Sequence, residues 1–309
     1  MGTEVAELKH ALLREVAALS HHDGIAWKEP ILDVLGQLRR TNVQAVLFGG
    51  TLRSLLTSRL FEGKRGRPRD VDVVVSGAPL ADLEDRFRAV LNRRTRFGGL
   101  QLKHGHWQFD VWPVGDTWAF KQDQKTEASF AELPSTTTFN LEAVAVEAWP
   151  TNGRSRAIFS GNDQFFEGIL SKTLELNRED SPFPGLTVVR GLVIASELRF
   201  KIGPRFARYV REAGPSLTEE HIDQVQASHY GYARLNSRTL KALIASVLRE
   251  PVESALALPA VGQLRLWPNE ADAPRINIHL LGSTALRRLH SSSLASSVSA
   301  RSSATDSSR

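Results

Sequence analysis

The chain contains no cysteine, and its single methionine is Met1. Disulfides and thiolate metal sites are therefore excluded. No apolar run approaches the roughly 20 residues that a membrane-spanning helix needs. The first residues place Glu4, Glu7 and Lys9 among alanines and leucines, where a secretory leader would keep an uncharged apolar stretch. No internal repeat is visible. These absences predict a cytoplasmic protein with no membrane partner. The rest of the composition is that of a globular protein: 309 residues, 41% hydrophobic and 24% charged. That length suffices for two domains, or for one with a helical extension. A net charge of +5 and a pI of about 9.7 suit a nucleic-acid partner, but equally suit bound phosphate or a solvated face.

One stretch, residues 48–75, organises the chain. Residues 43–48 read as a buried strand. Gly49-Gly50 follow, and a helical run opens at Thr51 and carries Arg53. A diglycine between strand and helix lets backbone approach a ligand closely, because neither residue has a Cβ. The helix N-terminus behind it presents unpaired N–H groups and partial positive charge, which suits a triphosphate. A polar loop with Lys64, Arg65, Arg67 and Arg69 comes next, readable as a solvated loop or as a phosphate or RNA contact. Asp70-Val71-Asp72 then heads a valine-rich strand, residues 71–75. Period two puts both carboxylates on one face, where they could hold divalent metal together with phosphate oxygens. The pair Asp82/Glu84 has the same spacing but falls in a helical pattern, where the side chains diverge.

The order strand, Gly-Gly, helix, basic loop, Asp-x-Asp strand resembles the head of the polymerase-beta-like nucleotidyltransferase superfamily. Within it, Gly49-Gly50-Thr51-Leu52-Arg53-Ser54-Leu55-Leu56 is most similar to the class II branch of poly(A) polymerases and CCA-adding enzymes. The resemblance covers about residues 43–210. It implies an α+β fold, a mixed sheet with flanking helices followed by a helical neck and body. The expected domains are a head over 1–180 with N-terminal helices, a mainly helical neck and body over 181–290, and a disordered Ser-rich tail over 291–309.

Along the chain, apolar spacing predicts helices over 5–19, 31–38, 51–60 and 80–91, and a hairpin from 100–102 and 106–114. Asp110 is a lone carboxylate inside the apolar strand of that hairpin. Such a group is expensive to bury unless paired or metal-bound, and the superfamily takes a third acidic ligand from a neighbouring strand; the bland alternative is an exposed residue on a half-buried strand. His104 and His106 read as loop residues. Asp116 is a candidate cap for a short helix. Residues 136–146 read as a strand resembling a class II segment that ends Arg-Asp-Phe-Thr-x-Asn-Ala. Thr138 and Asn140 match it, whereas Ser135 and Thr136 replace the Arg-Asp pair. Asn140 would hydrogen-bond a nucleotide or satisfy a strand end. Residues 157–160 would close the sheet. Helices are expected over 186–200, 217–230 and 237–247, the second with a Ser216/Glu219 capping box. Residues 256–266 and 276–289 are short ambiguous elements.

The resemblance implies a two-metal, pyrophosphate-releasing transfer of NMP from an NTP to an acceptor hydroxyl, an RNA 3′ end of tRNA-like kind. Asp70, Asp72 and Asp110 would be catalytic and would bind two Mg²⁺, with Mn²⁺ as a substitute. Gly49, Gly50, Thr51, Arg53, Asn140 and Arg190 would bind the nucleotide. Two alternatives stay open: a nucleotidyltransferase toxin or defence protein with another acceptor, which Gly-Gly-Thr-Leu-Arg and Arg-x-Arg-Asp-Val-Asp also resemble, and a catalytically silent nucleotide- or RNA-binding protein. The sequence does not specify an oligomeric state.

The chain departs from the class II pattern at the nucleobase-reading motif Glu-Asp-x-x-Arg. Its positions fall on Phe183, Pro184 and Thr187, and only the following arginine has a counterpart, Arg190. Edge recognition of C and A needs that carboxylate and guanidinium. Base selection is therefore expected to differ from that of CCA-adding enzymes; sequencing of products made on tRNA lacking its 3′ end checks this, and strict ordered addition of C, C and A would contradict it.

Overall fold

A computed structural model describes residues 2–260, apart from 20–24, 42, 64–66, 124–127 and 152–153, and for 25–28 describes only the backbone. Lys64 and Arg65 of the basic loop, the expected element at 276–289, the tail and most of 256–266 lie outside the described residues.

Helices α1 (Gly2–Leu19) and α2 (Ile25–Arg39) precede β1 (Gln44–Phe48), α3 (Gly50–Glu62), β2 (Val71–Ser76) and α4 (Leu80–Arg86). Then come β3 (Leu91–Arg94), β4 (Leu100–His104), β5 (Trp107–Pro113), α5 (Trp118–Gln122), β6 (Ala145–Glu147) and β7 (Ile158–Phe159). These seven strands form one sheet in the order β3-β4-β5-β2-β1-β6-β7. It is mixed: β2 and β5 run parallel, and the other neighbours are antiparallel. The chain continues through α6 (Gln164–Ser171), β8 (Thr173–Leu174), α7 (Pro184–Leu198), β9 (Lys201–Ile202), α8 (Pro204–Ala213), α9 (Glu219–Tyr230) and α10 (Ser237–Arg249). A parallel β8–β9 pair ties the segment before α7 to the one after it. This is the expected α+β architecture.

Alternation along the strands sorts the sheet into two faces. Ala45, Leu47, Val71, Val73, Val75, Phe109 and Val111 are buried in the main core together with residues of α1, α2 and α3. Val46, Phe48, Val74 and Ala145 point the other way and join Phe120 and Leu133 in a smaller cluster. Asp72 and Asp110 belong to this second face by the same alternation. Only part of it is covered by apolar side chains, which leaves room for a polar site.

Local chemistry explains where the chain departs from its apolar pattern. The helix expected over 80–91 stops at Arg86, and the chain enters edge strand β3. The strand expected over 136–146 is replaced by 3₁₀ turns at Leu133–Thr136 and Asn140–Glu142 and the short β6. Asn140 accepts hydrogen bonds from the Leu141 and Glu175 amides, both at 2.8 Å. Such local side-chain bonds offer backbone an alternative to a sheet ladder. Helix α9 is capped by Thr218, which accepts from the His221 amide at 3.1 Å; Ser216 instead donates to the Ala213 carbonyl. Asp116 does not cap α5 but pairs with Lys121 at 2.9 Å.

Helix α7 packs on α8, α9 and α10, and it carries Gly191 where a Cβ would land inside the Phe206 ring. Phe206 is fully buried and held edge-on by Phe139 at 5.3 Å, so it has little freedom to move aside. Gly191→Ala is expected to destabilise the fold by about 1–3 kcal/mol, the cost of overpacking, despite alanine's better helix propensity. Denaturant unfolding measures this; an unchanged or raised midpoint would contradict the packing described.

Candidate active site

The site begins at the end of β1. Gly49 adopts φ 60°, ψ −122°, which a residue with a Cβ rarely reaches, and this reverses the chain into α3. Its amide donates to the Val144 carbonyl at 3.1 Å, so Gly49 contributes shape rather than a donor. A Cβ on Gly50 would sit 3.6 Å from Arg53 and 3.8 Å from both the Asp72 and Glu142 carboxylates; glycine brings backbone up against these charges. The Thr51 hydroxyl, expected in the phosphate cradle, is buried and bound to the β2 segment. It accepts from the Asp72 amide at 2.7 Å and contacts the Asp72 carboxylate at 3.3 Å. Thr51 thus fixes the register between helix and strand.

Parallel pairing puts Asp72 and Asp110 side by side, as registered partners on β2 and β5. Gln101 is registered opposite Asp110 from β4, and its amide donates to Asp110 Oδ1 at 3.3 Å. Gln101 Oε1 accepts from Asn92 and Arg93, each at 3.0 Å, which orients the amide. Burial and the neighbouring carboxylates push Asp72 well above the ordinary carboxylate range. Burial, then Asp70, lifts Asp110 to about 6. Both directions have one reading: two acidic groups share a poorly solvated face with too little positive charge.

Asp70 behaves differently. Arg69 grips it with two bonds, Nε to Oδ1 at 2.9 Å and Nη2 to Oδ2 at 2.8 Å. Burial alone would raise Asp70, but Arg69, with Arg190 and His229 behind it, holds it below the usual range. Among the described residues no three His, Cys, Asp or Glu side chains gather closely enough to form a ready-made metal site. Three carboxylates were expected to converge on one volume; Asp70 acts on both Asp72 and Asp110, while Arg69 also holds it. The pair fits a hard divalent cation: its donors are all oxygen, and its mutual repulsion is what such a cation would relieve.

Arg53 and Arg190 were expected to face a nucleotide. Both donate to Oε1 of Glu142, whose side chain is only 4% exposed. The two guanidiniums outweigh the effect of burial and hold the Glu142 carboxyl low. Asn140 is buried and bound to the Thr173 carbonyl as well as to its two amide donors; it braces the turn before β6 against β8 and does not line the cleft. Gly49, Gly50, Arg53, the three aspartates, Glu142 and Arg190 do line it, in a cleft of about 2340 Å³. Its far wall comes from the end of α9. Tyr230 lies under Arg69, 5.3 Å from guanidinium to ring centre, and burial beside Arg190 and Arg69 lowers His229 to about 3. Of the residues the sequence reading missed, Glu142 carried the same signal as Asp110, a carboxylate inside an apolar run. Gln101 stands out only once β4 is registered against β5.

Asp72 and Asp110 are thus paired across parallel strands of a mixed sheet, with a diglycine turn beside them and a helical region behind. No protein-family profile and no curated protein matches the chain. Solved structures do. A tRNA-processing enzyme in apo form I superposes with a TM-score of 0.51 at 16% identity, over 73% of this chain and 57% of that one. A CCA-adding enzyme complexed with ATP gives 0.49 at 16% identity, over 71% and 50%. The Thermotoga maritima CCA-adding enzyme complexed with tRNA gives 0.49 at 16% identity, over 70% and 51%. The assignment to the polymerase-beta-like nucleotidyltransferase fold rests on the first of these. The chain spans between half and three-fifths of the length of these structures.

Glu142 joins α3 to α7, and removing its charge would leave two guanidiniums without an anion. Glu142→Gln is expected to cost about 3 kcal/mol at neutral pH, as when one partner of a buried ion pair is removed. Because the folded-state carboxyl is held low, its contribution is complete above the ordinary glutamate range and is lost as pH falls below it. Wild-type stability should therefore drop on acidification more steeply than that of Glu142→Gln. Urea titrations of both proteins from pH 7 to pH 3 measure the difference; parallel curves would rule the linkage out.

Proposed function

We propose that this protein is a metal-dependent nucleotidyltransferase that moves an NMP from an NTP to an acceptor hydroxyl, an RNA 3′ end of tRNA-like kind. The observation that carries this reading is the Asp72–Asp110 pair, set beside a diglycine turn that opens a helix. Likeness in fold to a tRNA-processing enzyme supports the choice of RNA.

Asp72 and Asp110 would hold Mg²⁺, with Asp70 joining them, and Mn²⁺ would serve as a substitute. When bound, such ions supply Lewis-acid stabilisation of phosphoryl charge and lower the acceptor hydroxyl's pKa. The chain's own groups do the positioning. The amides of Gly50 and Thr51 belong to the first turn of α3, where the helix itself offers no acceptor, and face the triphosphate. Arg53 and Arg190, fixed on Glu142, add positive charge behind it. Arg69 lies in the same cleft, and a triphosphate gives its guanidinium a second anion. Release of Asp70 then adds a third carboxylate to the pair. The acceptor hydroxyl gives up its proton to solvent, its oxygen forms a bond to the α-phosphorus, the bond to the bridging oxygen breaks, and pyrophosphate leaves with the electron pair. Most of the rate enhancement comes from positioning and charge neutralisation.

Incubation with each labelled NTP, Mg²⁺ and total RNA tests the reaction; labelled RNA is expected. Asp72→Asn should reduce transfer to background while leaving the metal-free fold as stable or more so, since it removes repulsion. Mg²⁺ should raise the melting temperature of the wild type by binding the native state only, and Asp110→Ala should lose most of that rise. A double variant Asp72→Asn, Asp110→Ala with normal turnover would overturn the mechanism.

A further inference from the structure

The cleft ends in exposed rings on the side away from the diglycine turn. Phe97, in the turn between β3 and β4, is 45% exposed, and Phe183, at the start of α7, is 38% exposed. Phe97 sits 6.1 Å from Phe183 and 6.4 Å from Trp118, centre to centre, tilted against each. The Arg96 guanidinium lies 4.9 Å over the Phe183 ring and reaches Ser228 of α9 at 3.5 Å. All five side chains line the cleft. Head, neck and body thus each contribute to one patch whose ring surfaces remain partly open to water.

Strand register places this patch relative to the chemistry. Leu47 pairs with Val73 on antiparallel β1 and β2, so Gly49 lies on the β1 side of the aspartates and toward Asp70. Leu100 pairs with Val111, and a Cβ on Gly99 would touch Trp112. The β3–β4 turn therefore lies on the β5 side and toward the opposite ends of β2 and β5. Diglycine turn and rings flank the carboxylate pair from opposite directions. In a phosphoryl transfer the attacking and leaving oxygens lie roughly in line. With pyrophosphate leaving at the diglycine turn, the acceptor hydroxyl approaches from the ring side.

We propose that Phe97 and Phe183, with Arg96, form a stacking platform for the unpaired terminal base of the acceptor strand. This rests on the reading of the acceptor as a nucleic-acid 3′ end. Ring faces and a guanidinium plane bind any base through its π-face and do not read its edge. Arg93, on the neighbouring strand, supplies charge for the adjoining phosphate.

Binding of short fluorescent RNAs without NTP, by anisotropy, tests this with two strands that differ only in a natural or abasic 3′-terminal nucleotide. Stacking on an aromatic residue is worth about 1–3 kcal/mol per base, so the wild type should bind the natural end roughly tenfold tighter than the abasic one. Phe183→Leu and Phe97→Leu keep apolar cover but remove the ring faces; each should weaken the natural strand by a similar factor and abolish the preference over the abasic strand. In turnover assays the rise should fall on KM for the RNA rather than on KM for the NTP. A wild type indifferent to the abasic change, or leucine variants that keep the preference, would overturn the platform and leave the function intact. A rise confined to KM for the NTP would reassign the rings to the incoming nucleotide. A wild type that binds no RNA would sink both the platform and the proposed acceptor.

Discussion

The site depends on one buried carboxylate. A charge as enclosed as that of Glu142 is unfavourable by several kcal/mol unless paired, and its partners come from α3 and α7. That triad ties together the start of α3, the turn before β6 and α7. It also gathers two guanidiniums on Glu142, next to the diglycine turn. Two guanidiniums against one carboxylate leave the triad with a net charge of +1.

The second feature is the contrast within the acidic row. Asp70 is neutralised by its sequence neighbour, whereas Asp72 and Asp110 are pushed up by burial and by other carboxylates. The Arg69 guanidinium rests on Tyr230 from α9, and Arg234 approaches that ring as well, at 5.6 Å, while pairing with Glu197 of α7. A series of charges and rings thus links Arg69, ahead of β2, to α9 and α7.

Several parts of this arrangement were legible in the residues. The strand–diglycine–helix unit and the common face of Asp70 and Asp72 follow from alternation and from the backbone freedom of glycine, both properties of adjacent residues, whereas Asp110 on a neighbouring strand was implied by the resemblance and rests on the pairing of β2 with β5. Asn140 shows where that reasoning ends. Its surroundings resembled a strand, but its amide group bonds Glu175, 35 positions away, and turns the backbone. Arg53 and Arg190 were read as cations available to a nucleotide; their anion lies 89 and 48 positions away.

By itself, then, the sequence determined the order of the main elements and the face of the carboxylates, because each depends on local periodicity or on residue identity alone. Tertiary structure alone decided the partners. Which arginine meets which carboxylate, that Gln101 orients Asp110, and that Phe97, Trp118 and Phe183 share one cleft rim all depend on strand register and helix packing. Those are set by burial summed over the whole core, and a pairing between distant charges leaves no periodic trace in the chain.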